Sequence, residues 1–270
     1  EIASCLVGSE MCIRDRLKDV SVNNRKISFA NGPRFIGARR ADRSLDQFYN
    51  HDDEKAKAKD RTYSEFTDAA VFTKLDVKEE GGNLILTANY KLGNLDKAQW
   101  TIHPDGMATL DYTYNFSGVV DLMGICFDYP EEQVLSKRWL GAGPYRVWQN
   151  RIHGTQYDIW ENDYNDPIPG ETFTYPEFKG YFGSVSWMSI RTKEGTISLT
   201  NETPDSYIGV YQPRDGRDRL LYTLPESGIS VLNVIPPVRN KVNSTDLCGP
   251  SSQPKWVDGS QTGRLVIRFE

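Results

Sequence analysis

The side chains best able to do chemistry are concentrated between Trp139 and Tyr181. Trp139, Tyr145, Trp148, Tyr157, Trp160, Tyr164, Tyr175 and Tyr181 alternate there with Arg146, Asn150, Arg151, Asn162, Asp163 and Glu171. Aromatic faces beside planar polar groups suit a sugar, which offers an apolar C–H face and a rim of hydroxyls. The same aromatics also fit a sandwich core, because Trp and Tyr are often largely buried with their polar tips satisfied. Both readings are open at this stage.

Other chemistries find little support. His51, His103 and His153 show no metal-ligand spacing and no cysteine cluster near them, so no metal or cofactor is expected. There is no G-x-S-x-G, P-loop or dinucleotide fingerprint, and Gly141-Ala142-Gly143-Pro144 lacks the lysine and helix that cradle phosphate. A net charge of -5 without a basic block argues against nucleic acid and against an anionic membrane surface. No apolar run approaches the roughly 20 residues that span a bilayer.

The elements that must position these residues read as strands. Val71–Val77, Leu84–Tyr90, Ala98–His103, Met107–Phe116 and Leu122–Tyr129 have period-two or short apolar patterns, linked by Gly81-Gly82-Asn83, Pro104-Asp105-Gly106 and Ser117-Gly118. Gly183–Arg191, Thr196–Thr200, Tyr207–Tyr211, Ile229–Val234 and Arg264–Phe269 form a second set, with Lys193-Glu194-Gly195 as a hairpin turn. Only Asp52–Lys59 contains helix formers, and without an apolar stripe it reads as a solvated loop or one exposed turn. Asp163–Pro176 reads as an ordered loop. No fixed repeat is present, so a large all-β antiparallel sandwich is expected for this length.

Leu6 to Asp15 (LVGSEMCIRD) matches one reading frame of a transposase sequencing adaptor, and the next codon permits Arg16. Residues 1–16 are therefore expected to be an artefact that adds no strand to the sandwich, with residues 17–270 forming the domain. That leaves Cys126 and Cys248, either a single bridge or, in the preferred reading, two unrelated thiols. With the true amino terminus expected upstream, periplasmic, secreted and cytoplasmic locations are all open.

The stretch WLGAGPYRVWQNRIHG resembles the last domain of glycoside hydrolase family 2 β-galactosidases, whose pattern is R-x-G followed by W-x-G-x-G-P-x-E-N-Y-x-D-R. Gly124, Trp139, Gly141, Gly143, Pro144 and Arg151 fall into this register, with Trp148 at the family's tyrosine. Pro176, Gly180 and Trp187 resemble its Y-x-x-P-Q-E-x-G-x-R-x-x-V-x-W segment. Arg146, Val147 and Asn150 replace the family's Glu, Asn and Asp, and Glu177-Phe178 its Gln-Glu, which leaves the sugar open. The resemblance implies a galactose-mutarotase-like supersandwich.

It further implies that Gly32–Asp46, with Arg34, Arg39 and Asp42, faces a sugar site; a surface salt-bridge cluster is the alternative. Leu232-Asn233 and Gly249–Trp256 resemble the family's L-N, glycine-rich loop and tryptophan platform, which makes Trp256 the candidate platform. Tyr145, Arg146 and Trp148 are the remaining candidate sugar contacts. Trp139, Gly141, Gly143, Pro144 and Arg151 are expected to be architectural, with Arg151 paired to a carboxylate or carbonyls. Retaining glycosidases need two carboxylates roughly 5 Å apart on a barrel, and none is recognisable here. The chain is thus expected to be an accessory domain of a β-galactosidase-type hydrolase, inactive alone, whose partners are a β-galactoside or related glycan and an upstream catalytic barrel. A non-catalytic carbohydrate-binding sandwich, or a mutarotase-like or polysaccharide-lyase domain, is the alternative.

Overall fold

Period-two patterning becomes alternating burial in the computed structural model of the chain, which describes residues 2–6, 9–13, 16–22, 24–40, 63–66, 68–164, 166, 168–170, 178–211, 227–237 and 249–270. The strands in chain order are β1 (Ile2–Leu6), β2 (Ser9–Ile13), β3 (Leu17–Val22), β4 (Arg25–Ile27), β5 (Ala30–Arg40), β6 (Tyr63–Glu65) and β7 (Val71–Glu80). Then come β8 (Asn83–Lys91), β9 (Leu95–Ile102), β10 (Met107–Val120), β11 (Leu122–Asp128), β12 (Val134–Gly143), β13 (Gln156–Asp163) and β14 (Phe182–Gly183). The last five are β15 (Trp187–Thr192), β16 (Thr196–Asn201), β17 (Tyr207–Val210), β18 (Ile229–Val234) and β19 (Lys255–Phe269). All named strands pair antiparallel, and no α-helix occurs among the described residues.

A nine-stranded sheet in the order β13-β12-β15-β16-β19-β10-β9-β8-β7 faces a six-stranded sheet in the order β14-β17-β18-β11-β5-β6. Leu86, Trp100, Leu110, Ile190, Leu199 and Ile267 from the first pack with Phe35, Ile125, Phe127, Ile208 and Val231 from the second in one core. This is the large antiparallel β-sandwich expected from the sequence. Among the polar ties that cross it, the Tyr114 hydroxyl of β10 donates to Asn233 Oδ1 of β18 at 2.6 Å. Strand β11 is buried on both faces because Leu122 and Cys126 point to a second cluster behind the six-stranded sheet, with Ile36, Ala38, Leu232, Val147 and Trp148. Cys126 is a free buried thiol whose pKa burial pushes up to about 12; Cys248 lies outside the described residues.

The meander from β7 to β10 follows the sequence reading closely, with Gly81, Gly82 and Gly106 at positive φ in its turns, whereas β11, the next strand read from the sequence, crosses into the six-stranded sheet. One expected turn is absent. Ser117-Gly118 lies inside β10, which continues to Val120 because it stays paired with β19 through Val120↔Lys255. Strands β1 and β2 pair with each other, and β2 pairs with β3, in a four-stranded sheet with no strand pairing to either large sheet among the described residues. The 52–59 segment lies outside the described residues.

Candidate functional site

The tryptophan-glycine motif folds as β12 and the turn that follows it. Alternation turns Lys137, Trp139, Gly141 and Gly143 inward while Arg138 faces out. The glycines permit close approach: a Cβ at Gly143 would sit 2.4 Å from the Trp160 ring, and one at Gly141 would sit 3.0 Å from the Val185 Cα. Trp139 is fully buried, donates from Nε1 to the Ala142 carbonyl at 3.1 Å, and meets Phe182 edge-on at 4.9 Å. Beyond Pro144 the chain crosses to the back of the six-stranded sheet, where Val147 exchanges two 2.7 Å backbone hydrogen bonds with Tyr181. Trp148 is 2% exposed and packs edge-on to Tyr181, so this candidate sugar contact is a core residue of the second cluster.

The turn at Gln149 and Asn150 reaches the Trp256 segment. Gln149 Nε2 donates to the carbonyls of Ser251 at 2.9 Å and Gln253 at 2.7 Å, and Asn150 Nδ2 to Ser252 Oγ at 3.4 Å. Residues 250–252 form a single 3-10 turn, and β19 starts at Lys255. Trp256 stands 69% exposed on that strand, opposite Val119 of β10. A large aromatic side chain is thus presented to solvent from a strand whose preceding turn is hydrogen-bonded to Gln149 and Asn150. Tyr145 is half-buried, donates to the His153 carbonyl at 3.0 Å and lies edge-on to Phe178. Arg151 is exposed, and among the described residues its side-chain partner is the Phe178 ring at 5.1 Å rather than a carboxylate or carbonyl.

Arg146 lies inside, 2% exposed, with its guanidinium 5.8 Å from the centre of the Phe182 ring. The ammonium of Lys137 is 6.0 Å from the centre of that ring and 5.0 Å from that of Tyr164, and it donates to the Asp163 carbonyl at 3.2 Å. Burial lowers the Arg146 pKa to about 10. Burial, then repulsion from Arg146, holds Lys137 well below the usual lysine range against the pull of Asp166 and Asp163. Sequence reasoning did not single out Lys137. The signal was a lysine at an inward position of β12, a strand absent from the two sets read from the sequence.

The arginine-rich segment divides. Arg34 on β5 forms a 2.6 Å ion pair with Asp128, whose other oxygen accepts from Asn31 at 2.7 Å, so Arg34 ties β5 to the end of β11. Arg39 is partly buried near the far end of β5, opposite Ser64, and Asp42 lies outside the described residues. His103 bonds Thr109 Oγ1 at 2.9 Å beside the β9–β10 hairpin, and His153 is exposed.

No protein-family model and no curated protein matches the sequence. Among solved structures, the chain is similar to galactose 1-epimerase from Lactobacillus acidophilus NCFM, with 8% identity and a TM-score of 0.46 over 97% of this chain and 91% of that one. It is also similar to a GalM/aldose epimerase homologue from C. elegans, with 7% identity and a TM-score of 0.36 over 97% of this chain and 96% of that one.

Proposed function

We propose that the chain is a sugar-binding accessory domain of a β-galactosidase-type glycoside hydrolase, with the paired catalytic carboxylates supplied by a separate barrel. The observation that carries this reading is the hydrogen bonding of the motif turn to the segment that leads into the exposed Trp256. The two segments that resemble the hydrolase family, 139–151 and 249–256, are joined by the three hydrogen bonds from Gln149 and Asn150. A fixed, solvent-facing indole stacks on the apolar face of a pyranose without losing side-chain freedom on binding. Trp139, Gly141, Gly143 and Pro144 serve this platform by shaping the strand and crossover behind it.

Titrating the protein with galactose and with lactose, followed by tryptophan fluorescence and calorimetry, tests the proposal. Saturable binding is expected, reduced about tenfold in Trp256→Ala by loss of stacking worth about 1 kcal/mol or slightly more, with the thermal midpoint unchanged. A chromogenic β-galactoside is expected to give no turnover. Turnover that disappears on substituting one carboxylate would place a complete active site in this chain and defeat the accessory role. Acceleration of galactose anomer interconversion, read by polarimetry, would favour an epimerase instead.

A further inference from the structure

Trp256 is one end of a longer feature on the outer face of the nine-stranded sheet. Strands β10 and β19 pair without a register shift from Met107↔Arg268 to Val120↔Lys255. Alternation therefore places Trp256, Asp258, Ser260, Thr262 and Arg264 on one face, and each of these five residues is exposed. Their partners on β10 are Val119, Ser117, Asn115, Thr113 and Asp111. Beyond Val119 this lane carries only hydroxyl, amide, carboxylate and guanidinium groups, those that recognise sugar hydroxyls.

The far end of the lane opens into a solvent-accessible cavity of about 320 Å³, walled by Lys97, Asp111, Thr113, Glu202, Thr262 and Arg264. Arg264 lies 3.7 Å from Asp111 and 3.3 Å from Glu202. Lys97 and Arg264 against Asp111 and Glu202 leave the walls without net charge. An anion or a cation gains little from such a site, whereas a neutral polyol finds both donors and acceptors within reach. Arg264 lies eight positions beyond Trp256, which at a strand rise of about 3.3 Å per residue is roughly 26 Å. That span is too long for one pyranose and suits several linked in a chain.

We propose that the outer face of β10 and β19 is an extended binding lane for a neutral linear oligosaccharide, anchored by stacking on Trp256 and by hydroxyl contacts in the cavity at Lys97 and Thr262. This inference rests on the sugar-binding reading of Trp256 and extends it from a single platform to a chain-length-selective surface. Because the two anchors are linked through one ligand, occupancy of the first raises the effective concentration at the second, and affinity grows with length until the span is bridged.

The test is calorimetry of the whole protein with galactose and a ladder of β-1,4-linked galacto-oligosaccharides from the disaccharide to the hexasaccharide. The expected result is affinity rising tenfold or more along the ladder. Trp256→Ala and the double variant Lys97→Ala/Thr262→Ala, all at exposed positions, should each flatten that rise, with unchanged circular dichroism. The double variant should leave binding of galactose itself intact. Affinity independent of length, or a length dependence untouched by the double variant, overturns the lane while leaving the Trp256 platform standing. Failure of the unsubstituted protein to bind any member of the ladder overturns both.

Discussion

Replacing Gln149 by methionine, which keeps the side chain's length and removes its donor, disconnects the motif turn from the 249–254 segment. Two hydrogen bonds are lost, at 2.9 and 2.7 Å, both to backbone carbonyls that water can then solvate. At about 0.5–1.5 kcal/mol each for neutral pairs, the local loss is about 2 kcal/mol, or roughly a 30-fold increase in the opening constant of the 249–254 segment. The reporters are the amides of Ser252 and Gln253, which donate to the carbonyls of Gly249 at 2.9 Å and Pro250 at 3.2 Å. Hydrogen exchange of these amides, measured by NMR, should accelerate by that factor, while amides of β8 and β9 keep their protection. On the proposed sugar-binding role, galactoside affinity should weaken severalfold, because the turn leading into Trp256 loosens. Unchanged exchange at both amides would refute the claim that Gln149 holds this segment.

Two further outcomes follow from charges held within the fold. Lys137→Met removes an ammonium from the inner face and should stabilise the fold at neutral pH by about 1–3 kcal/mol in urea denaturation. The folded-state pKa of Lys137 lies below its value of 10.5 when unfolded, so between the two the unfolded chain binds more protons; stability of the unsubstituted protein should rise with pH across that window, and the variant should lose the rise. Glu194 in the β15–β16 turn accepts from Ser28 N at 2.9 Å, Ser28 Oγ at 2.6 Å and the Tyr129 hydroxyl at 3.0 Å. Burial pushes its pKa up, but these bonds and Arg25 prevail and hold it below the ordinary 4.5. Its contribution is therefore present above about pH 4.5 and lost as pH falls through the depressed value, and acid titration of Glu194→Gln should show a shallower decline than that of the parent.

The meander from β7 to β10 was legible because its strands alternate Leu, Ile, Val or aromatic residues with polar ones and each hairpin has a glycine where φ must be positive. The amino half of β19 was not. Lys255 to Gly263 has few apolar residues and two glycines, so it resembles a loop, yet it is a strand because β10 supplies a continuous partner. Tertiary pairing here overrides weak local propensity. The same limit hid β12, where Lys137 occupies a slot that the pattern reserves for an apolar residue. Trp256 was singled out by resemblance. The hydrogen bonds that hold the turn before it were not legible, since Gln149 and Ser251 are about a hundred positions apart and nothing local marks their contact. Arg34 was singled out as a sugar contact, but its bond to Asp128, equally remote in sequence, could only be seen in the fold.

The placement of β19 between β16 and β10 has a consequence for the order in which the protein can be assembled. The strand latest in the chain is fifth of nine in its sheet, and it alone joins β13-β12-β15-β16 to β10-β9-β8-β7. While a ribosome is still making the segment before Lys255, the two halves can form as separate ribbons, each with one long unsatisfied flank. Final closure waits for the last strand to slide between them, a step dominated by pairings distant in sequence and hence intrinsically slow. An interrupted translation product therefore has no route to a continuous sheet, and its bare flanks are templates for intermolecular pairing that cellular quality control would meet first.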